Sequence, residues 1–347
     1  MNNRAARLAA DIKSDEAFLI TSRENIFYLS GFTGEGILII DKEHRIIVTD
    51  FRYIEAAKTN MCGFCVENIT RGIENIMPPT IKTLLIEEND LTLASYKAYQ
   101  KKLPDIAFTD GSSQTDALRI IKDENELASI KTAAQIATQA FEKVLLQTKA
   151  GVSENQLALT FEHLVKTAGA SAVSFDTIVA SGKNSSMPHA IATDKKLQNG
   201  DFVTFDFGCV YNGYCSDMTR TVAIGCVTDK QKSVYETVLK AQKASLKGAI
   251  RGALCSDVDK TARDIIASAG YGKEFGHALG HGVGINVHEM PRLSSKSNQT
   301  LDNGMVVTIE PGIYIENEFG VRIEDLVIIN DEKPINLSNF TKELIIL

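Results

Sequence analysis

The sequence of 347 residues contains no tryptophan, only seven prolines and only six histidines. Low proline content without short repeats excludes a collagen-like or largely disordered chain. No apolar run approaches the length of a transmembrane helix, so we expect no membrane partner. Basic residues are in the minority, and the net charge of −7 speaks against nucleic acid as a partner. The N-terminal segment carries Asp11, Asp15 and Glu16 without a signal-peptide core, so we expect a cytoplasmic protein.

Cysteine is also sparse, and its six copies include one close pair, Cys62 and Cys65. Such a pair is typical of a redox motif or of half a zinc site. The sequence has no second pair at that spacing and no histidine beside the first. We therefore expect the cysteines to be reduced, small and buried side chains.

The composition, 44% hydrophobic and 23% charged, is that of a globular chain long enough for two domains. Short apolar runs alternate with helical patterns and predict an α/β (α+β) domain over residues 1–120. The run IFYLSGFTGEG at residues 26–36 is one of its predicted strands. Asp123 and Glu126 have the spacing of a capping box, so a second α/β domain is predicted over residues 121–347.

Half of the histidines lie in or next to one glycine-rich segment, HALGHGVGINVHE. These are His277, His281 and His288. The alternating glycines are typical of a backbone that bends or lets a ligand approach. Apolar alternation over residues 283–287 predicts a short strand leading to the last histidine. The cluster predicts a metal or catalytic site that needs carboxylate partners. His189, in a loop rich in Gly, Asn and Ser, is a further candidate.

Residues 202–207 and 214–224 predict the two strands of a β-hairpin whose turn is Asn212-Gly213. The first strand contains Asp206 among phenylalanines, which predicts that this carboxylate is buried. A buried carboxylate needs a nearby compensating charge.

The parity of this hairpin brings two acids together. A turn centred between Asn212 and Gly213 pairs Asp206 with Thr219, and a turn centred one residue earlier opposes Asp206 to Asp217. In either register both carboxylates lie on the same face of the hairpin. Two such charges repel unless they share a cation.

The last stretch of the chain repeats the acidic pattern. Glu310 ends an apolar run, and Glu324 lies in an apolar strand. A lone carboxylate is costly in such a place. Arg322, two residues before Glu324, is predicted to share its face.

The candidate metal ligands are four carboxylates and one imidazole: Asp206, Asp217, His281, Glu310 and Glu324. Two divalent metals would compensate so much buried negative charge, and they would activate a shared water and polarise a carbonyl. The oxygen-rich set favours Mn(II), with Co(II), Fe(II) and Zn(II) as alternatives. The pattern predicts a metal-dependent hydrolase of an amide, ester or phosphoester, in which His189, His277 and His288 stabilise the transition state or move protons.

The motifs DFGCVYNGYCSDMTRT, HALGHGVGINVHE, TIEPGIY and GVRIEDLV resemble the pita-bread-fold metallopeptidases, which include prolidase, Xaa-Pro aminopeptidase and, more distantly, methionine aminopeptidase. NIFYLSGFTGEG and VTDFRY resemble the smaller creatinase-type N-terminal domain of that family. The resemblance covers the whole chain and favours the proline-directed branch. It implies two domains and an internal pseudo-two-fold axis in the second.

The resemblance also implies individual roles. Asp206 resembles a bidentate ligand of one metal, and Asp217 and Glu324 resemble carboxylates that bridge both metals. His281 and Glu310 resemble ligands of the other metal, and Glu310 also resembles a proton shuttle.

Four further residues resemble substrate-handling positions. His189 and His288 resemble residues that flank the scissile peptide. His277 and Arg322 resemble residues that shape the pocket on the proline side. Ala278 is a departure, since relatives often have glycine there.

The implied activity is removal of an N-terminal residue that precedes proline, by a Xaa-Pro dipeptidase or a Xaa-Pro aminopeptidase. The implied partners are short peptides with proline in second position and a second copy of the chain in a homodimer. We expect the N-terminal domain to help close one end of the cleft. Two alternatives on the same fold are a metal-free creatinase-like amidinohydrolase and a non-catalytic binding module. The full ligand set argues against both.

Overall fold

The structure is a computed structural model that describes residues 4–347. The chain divides into two compact units, Met1–Arg119 and Ile120–Leu347. Across the described residues, none of the helices combines the length and the hydrophobicity that a membrane crossing requires.

The N-terminal unit alternates helices and strands. In chain order they are α1 (Arg4–Ala10), β1 (Glu16–Ile20), α2 (Arg23–Ser30), β2 (Gly36–Ile40), β3 (Arg45–Thr49), α3 (Ile54–Asn60), β4 (Cys65–Asn68), α4 (Ile73–Ile76), β5 (Thr83–Ile86), α5 (Leu93–Lys102), β6 (Ala107–Asp110) and α6 (Ser112–Ile120). The strands form one mixed sheet in the order β4-β3-β2-β1-β5-β6. Leu19, Ile39 and Leu84 are buried in its core.

The strand predicted at residues 26–36 is wrong, because this stretch begins inside helix α2. Ser22 caps the helix by accepting a hydrogen bond from the backbone N–H of Asn25, and Gly31 ends it with φ of 78°. Only glycine adopts that left-handed conformation without strain. The apolar run is therefore ambiguous in itself, and its caps decide the structure.

The C-terminal unit contains two helix pairs and several short strands. In chain order its elements are α7 (Glu124–Leu145), α8 (Glu154–Thr167), β7 (Ala172–Val173), β8 (Ile178–Ser181), β9 (Phe202–Phe207), β10 (Cys209–Tyr211), β11 (Tyr214–Cys215), β12 (Met218–Ala223), α9 (Asp229–Gly248), α10 (Cys255–Ser268), β13 (Gly280–Gly282), β14 (Glu289–Leu293), β15 (Val306–Ile309), β16 (Gly312–Ile315), β17 (Phe319–Arg322), β18 (Asp325–Ile328) and β19 (Ile335–Asn336). The capping box at Asp123 is confirmed.

The C-terminal unit has two apolar cores, each formed by one helix pair and one sheet. Helices α7 and α8 pack on the sheet β12-β9-β8, where Phe141 and Phe205 are buried. Helices α9 and α10 pack on the sheet β14-β13-β15-β18-β19, where Val238 and Val327 are buried. The two halves meet where the backbone N–H of Glu324 donates to the carbonyl of Thr219, at 3.1 Å. The candidate site lies at this contact between the two halves.

The expectation that the cysteines are buried is correct for only half of them. Cys209, Cys215 and Cys255 are buried, whereas Cys62, Cys65 and Cys226 are exposed, and all are free thiols. The exposed pair lies in the N-terminal unit, with Cys62 in a turn and Cys65 at the start of the outer strand β4.

Candidate metal centre

Three of the predicted carboxylate ligands lie where strands are interrupted. Asp217 lies between β11 and β12, Glu310 directly after β15, and Glu324 between β17 and β18. A continuous strand would send alternate side chains to opposite faces. The interruptions free these residues from that constraint and let carboxylates from two sheets converge.

The predicted second hairpin strand, residues 214–224, is therefore split. A Cβ on Gly208 would lie 1.9 Å from the carbonyl oxygen of Ser216, so only glycine allows this close approach beside Asp217. Asp206 pairs with Thr219. This register is the first of the two predicted alternatives, and the direct opposition of Asp206 to Asp217 is wrong.

The strand predicted over residues 283–287 is also wrong. Strand β13 ends at Gly282 after an irregular register next to His281, and the chain then bends until β14. A Cβ on Gly284 would lie 2.4 Å from the carboxylate of Glu289, which in turn accepts from the N–H of Asn286. The glycines thus serve a tight bend rather than an extended strand.

Asp217, His281 and Glu324 each offer one donor atom, and these atoms all lie within 4.8 Å of one another. Nε2 of His281 is 3.7 Å from Oδ2 of Asp217 and 3.3 Å from Oε1 of Glu310. Nδ1 of His281 faces the carbonyl of Gly282 at 3.0 Å, where it must donate. This contact fixes the tautomer that leaves Nε2 as the ligand atom, which is the usual arrangement of metal-binding histidines.

Two buried oxygens in this group, Oδ1 of Asp206 and Oε1 of Glu324, have no hydrogen-bond partner among the described residues. Buried polar atoms in folded proteins are nearly always satisfied. Carboxylate oxygens with one imidazole are donors that a divalent cation accepts. The unpartnered oxygens and the donor set therefore fit a divalent metal.

The pKa values show how poorly the protein alone compensates these charges. Burial raises the pKa of Asp217, and the charges of Glu324, Asp206 and Glu310 raise it further. Burial and the charges of Glu310 and Asp206 likewise raise the pKa of Glu324. Burial alone would raise the pKa of Glu310, but the hydrogen bond and charge of His281 outweigh it and lower that pKa. The imidazolium of His281 thus stabilises Glu310, whereas the charges of Asp217 and Glu324 are poorly compensated.

Asp206 forms an ion pair with the guanidinium of Arg322. Nη2 of Arg322 donates to Oδ2 of Asp206 at 2.6 Å, and Nε donates to Oγ1 of Thr219 at 3.0 Å. Nη1 donates to the carbonyl of Pro188 at 3.2 Å and to the hydroxyl of Tyr314 at 2.7 Å. This buried guanidinium joins a candidate ligand to the loop that carries His189.

Two of the other predicted site histidines, His277 and His288, lie near the carboxylate group, where the charge of Glu310 acts on both. His189 and His288 are exposed, and the ring of His288 lies edge-on to that of His281 with centroids 4.3 Å apart. His277 is partly buried, and burial lowers its pKa. The imidazoles of His189 and His288 are thus exposed, whereas the carboxylates of Asp217 and Glu324 are buried and those of Asp206 and Glu310 are partly buried.

Sequence reasoning missed residues that orient the candidate ligands. Thr219 donates to Oε2 of Glu324 at 2.6 Å, and Thr308 donates to Oε1 of Glu310 at 3.2 Å. Each threonine lies two positions from an acid, Asp217 or Glu310. Residues two apart in a strand share a face, so this spacing was the available signal.

The loop that carries His189 is held by a buried acid, Glu154, which the sequence analysis did not identify. Glu154, fully buried, accepts hydrogen bonds from Ser181, Asn184 and Thr193 at 2.6–3.1 Å. These donors lie on both sides of His189, so one carboxylate fixes the base of the loop.

The raised pKa values predict that the metal-free protein loses stability as pH rises above about 6.5. Folded Asp217 and Glu324 keep protons that the unfolded chain has already lost. The pKa of His281 is raised by Glu310 despite burial, so its favourable charge is also lost with rising pH. Asp217, Glu324 and His281 therefore all make the metal-free protein less stable as the pH rises.

The lowered pKa values of His277 and His288, which burial causes, oppose this trend only below about pH 6.5. We expect the unfolding free energy of EDTA-treated protein to fall as pH rises above about 6.5, by up to about 1.4 kcal/mol per pH unit for each proton that the folded protein retains. Urea unfolding at three pH values measures it. A metal-free stability that rises across this window would contradict the shared acidic site.

The family model described as "Metallopeptidase family M24" matches residues 128–331, and that described as "Creatinase/Prolidase N-terminal domain" matches residues 4–121. A protein named Xaa-Pro dipeptidase from Pyrococcus horikoshii is 38% identical, covering 99% of both chains. The structure of a Xaa-Pro dipeptidase from Bacillus anthracis is similar with a TM-score of 0.96 and 39% identity, covering 99% of both chains. That of an X-Pro aminopeptidase from Thermotoga maritima has a TM-score of 0.90 and 36% identity, covering 99% of this chain and all of the other.

The chain therefore belongs to metallopeptidase family M24, with a creatinase-type N-terminal domain before the pita-bread peptidase domain. The predicted family, the α/β (α+β) fold class and the assignment as a metal-dependent peptidase are confirmed. The creatinase-like and non-catalytic alternatives are not favoured. The boundary at residues 120/121 and the roles of individual residues stay predictions.

Proposed function

We propose that this chain is a Xaa-Pro peptidase that hydrolyses the bond between an N-terminal residue and a following proline. The observation that carries the proposal is full-length similarity to proteins named Xaa-Pro dipeptidase, at 37–38% identity over at least 96% of this chain. The buried acidic group with one imidazole supports it, because such a group suits a metal-assisted hydrolase.

The residues proposed to hold two divalent cations are Asp206, Asp217, His281, Glu310 and Glu324. The oxygen-rich donor set favours Mn(II), and Co(II), Fe(II) or Zn(II) are alternatives. When bound, the cations polarise the peptide carbonyl and lower the pKa of the attacking water. Asp217 and Glu324 are the proposed bridging ligands, since each has a donor atom in the close group and each repels the other without a cation.

The side chains then supply proton transfer and orientation. Glu310 is proposed to accept a proton from the attacking water and to pass it to the leaving proline nitrogen. His189 and His288, which are exposed, are proposed to donate hydrogen bonds to the peptide. His277 and Arg322, linked through Tyr314, bind on the proline side.

We expect the Mn(II)-loaded protein to hydrolyse a dipeptide Xaa-Pro or a longer peptide with proline in second position, and to leave the matched alanine peptides intact. The reason is that the proposed pocket lies on the proline side of the scissile bond. Release of the first amino acid from the four peptides, measured by chromatography, tests the proposal and separates dipeptidase from aminopeptidase activity.

The control is the same assay after EDTA treatment and after addition of Mn(II), Co(II) or Zn(II). Loss with EDTA and greatest recovery with Mn(II) are expected. If the metal-loaded protein cleaves neither proline peptide, the proposed specificity for proline is wrong.

We also propose that the enzyme is a cytoplasmic homodimer, on the basis of the sequence resemblance and the reduced cysteines. Sedimentation of the full chain reports its mass directly.

A further inference from the structure

We propose that Asp259 and Arg263 on helix α10 form a clamp that positions the imidazole of His277 for substrate binding. The functional part of this proposal rests on the proposed function, which places His277 on the proline side of the site. The contacts that carry the clamp itself do not depend on the substrate.

The segment between α10 and β13 has no regular secondary structure that would fix it. Its backbone polar groups therefore need other partners. Arg263 donates from Nη1 to the carbonyl of Phe275 at 3.1 Å and from Nη2 to the carbonyl of His277. Oδ1 of Asp259 accepts from the N–H of Leu279 at 3.0 Å. The two side chains thus hold the backbone on both sides of His277.

The clamp is itself rigid. Arg263 donates to Oδ2 of Asp259 from Nε at 2.6 Å and to Oδ1 from Nη2 at 2.9 Å, and the Asp259 carboxylate is fully buried. The guanidinium also lies 4.5 Å from the centre of the Phe275 ring, which is perpendicular to the His277 ring with centroids 5.1 Å apart. A planar fork makes all these contacts together, whereas a lysine ammonium has no such geometry.

On its other side His277 reaches the candidate site. Its Nδ1 donates to the carbonyl of Ala278 at 2.8 Å, and its Nε2 accepts from the hydroxyl of Tyr314 at 3.0 Å. The carbonyl of Leu279 accepts from the backbone N–H of Glu310 at 2.8 Å. A displacement of the clamped backbone would therefore move the imidazole relative to Tyr314 and Glu310.

The kinetic test replaces Arg263 by lysine, Arg263→Lys, and uses Asp259→Glu as a second variant that keeps the charge but lengthens the side chain. We expect KM for the proline peptide to rise about tenfold, with kcat within about twofold and metal content unchanged. Lys260→Ala is the matched control, since Lys260 and Asp264 form an exposed i,i+4 pair on the same helix at 2.5 Å. It should change neither constant.

A spectroscopic test needs no substrate. The chain has six histidines, so isotope-labelled histidine gives a simple nitrogen spectrum of the full chain loaded with diamagnetic Zn(II). The His277 signals are assigned by their loss in His277→Gln. We expect them to shift in Arg263→Lys and Asp259→Glu but not in Lys260→Ala.

Unchanged His277 signals in both clamp variants would overturn the proposal, and so would loss of metal or of folding in both, which would make the pair merely structural. If the wild-type protein cleaves no proline peptide but the signals shift, the proposed function fails and the clamp stands. If the signals shift and KM does not, the imidazole is positioned but does not serve substrate binding, which also overturns the proposal.

Discussion

Asp217→Asn is expected to lower peptidase activity at least about 1,000-fold and to make the metal-free protein more stable. The loss follows because Asp217 offers one of the donor atoms that converge within 4.8 Å, and an amide is a poor ligand for a divalent cation in that place. The gain in stability follows because Asp217 is buried beside Glu324, Asp206 and Glu310.

At neutral pH the metal-free protein must take up a proton at Asp217 on folding, and this costs free energy that a neutral asparagine does not require. We expect about 2 kcal/mol here, which corresponds to a rise of about 5 °C in the unfolding midpoint of a unit of this size. Thermal unfolding of EDTA-treated wild-type and variant protein measures it.

Asp264→Asn is the control, since Asp264 is exposed in a surface pair and should change neither activity nor stability. An Asp217→Asn protein that keeps its full metal content would refute the bridging role. One that is less stable than wild type without metal would refute the charge repulsion.

Removal of metal from the wild-type protein is expected to abolish activity reversibly and to lower the unfolding midpoint by about 10 °C. A ligand present at about 1,000 times its Kd stabilises the folded state by about 4 kcal/mol. For a unit of this size each kcal/mol shifts the midpoint by about 2–4 °C. We expect this stabilisation to come from binding of the metal to the unpartnered oxygens of Asp206 and Glu324.

Calorimetry of the protein with EDTA and then with Mn(II) checks this expectation. The Asp217→Asn variant is its control, because its midpoint should not respond to metal. Equal midpoints for wild-type protein with and without metal would mean that the acidic group is compensated by the protein alone.

Much of this protein was predictable from local sequence. Carboxylates in apolar runs, such as Asp206 among phenylalanines, pointed to a site because charge in such places needs compensation, and the structure shows Asp206 to be partly buried. The capping box at Asp123 and the parity of the hairpin around Asn212 are local patterns as well, and the structure confirms both. Sequence alone also placed all the ligand candidates in the unit that contains the acidic group.

The wrongly predicted strands have a common cause. Hydrophobic periodicity indicates which local structure a segment prefers, but it does not show where that structure is interrupted. The run at residues 26–36 is apolar in either conformation, and the caps at Ser22 and Gly31 make its first part helical. Residues 214–224 alternate like one strand, yet the backbone contact between Gly208 and Ser216 breaks it at Asp217.

By itself the sequence identified the candidate residues for the chemistry, because acids in apolar runs, clustered histidines and alternating glycines are patterns that local structure alone does not explain. Only the tertiary structure decided where those side chains point. The interruption of three strands, the guanidinium of Arg322 between Asp206 and the His189 loop, and the clamp behind His277 all depend on contacts between residues far apart in the chain. The contacts of Arg322 form only when the two halves of the C-terminal unit meet, whereas the clamp forms within the second half.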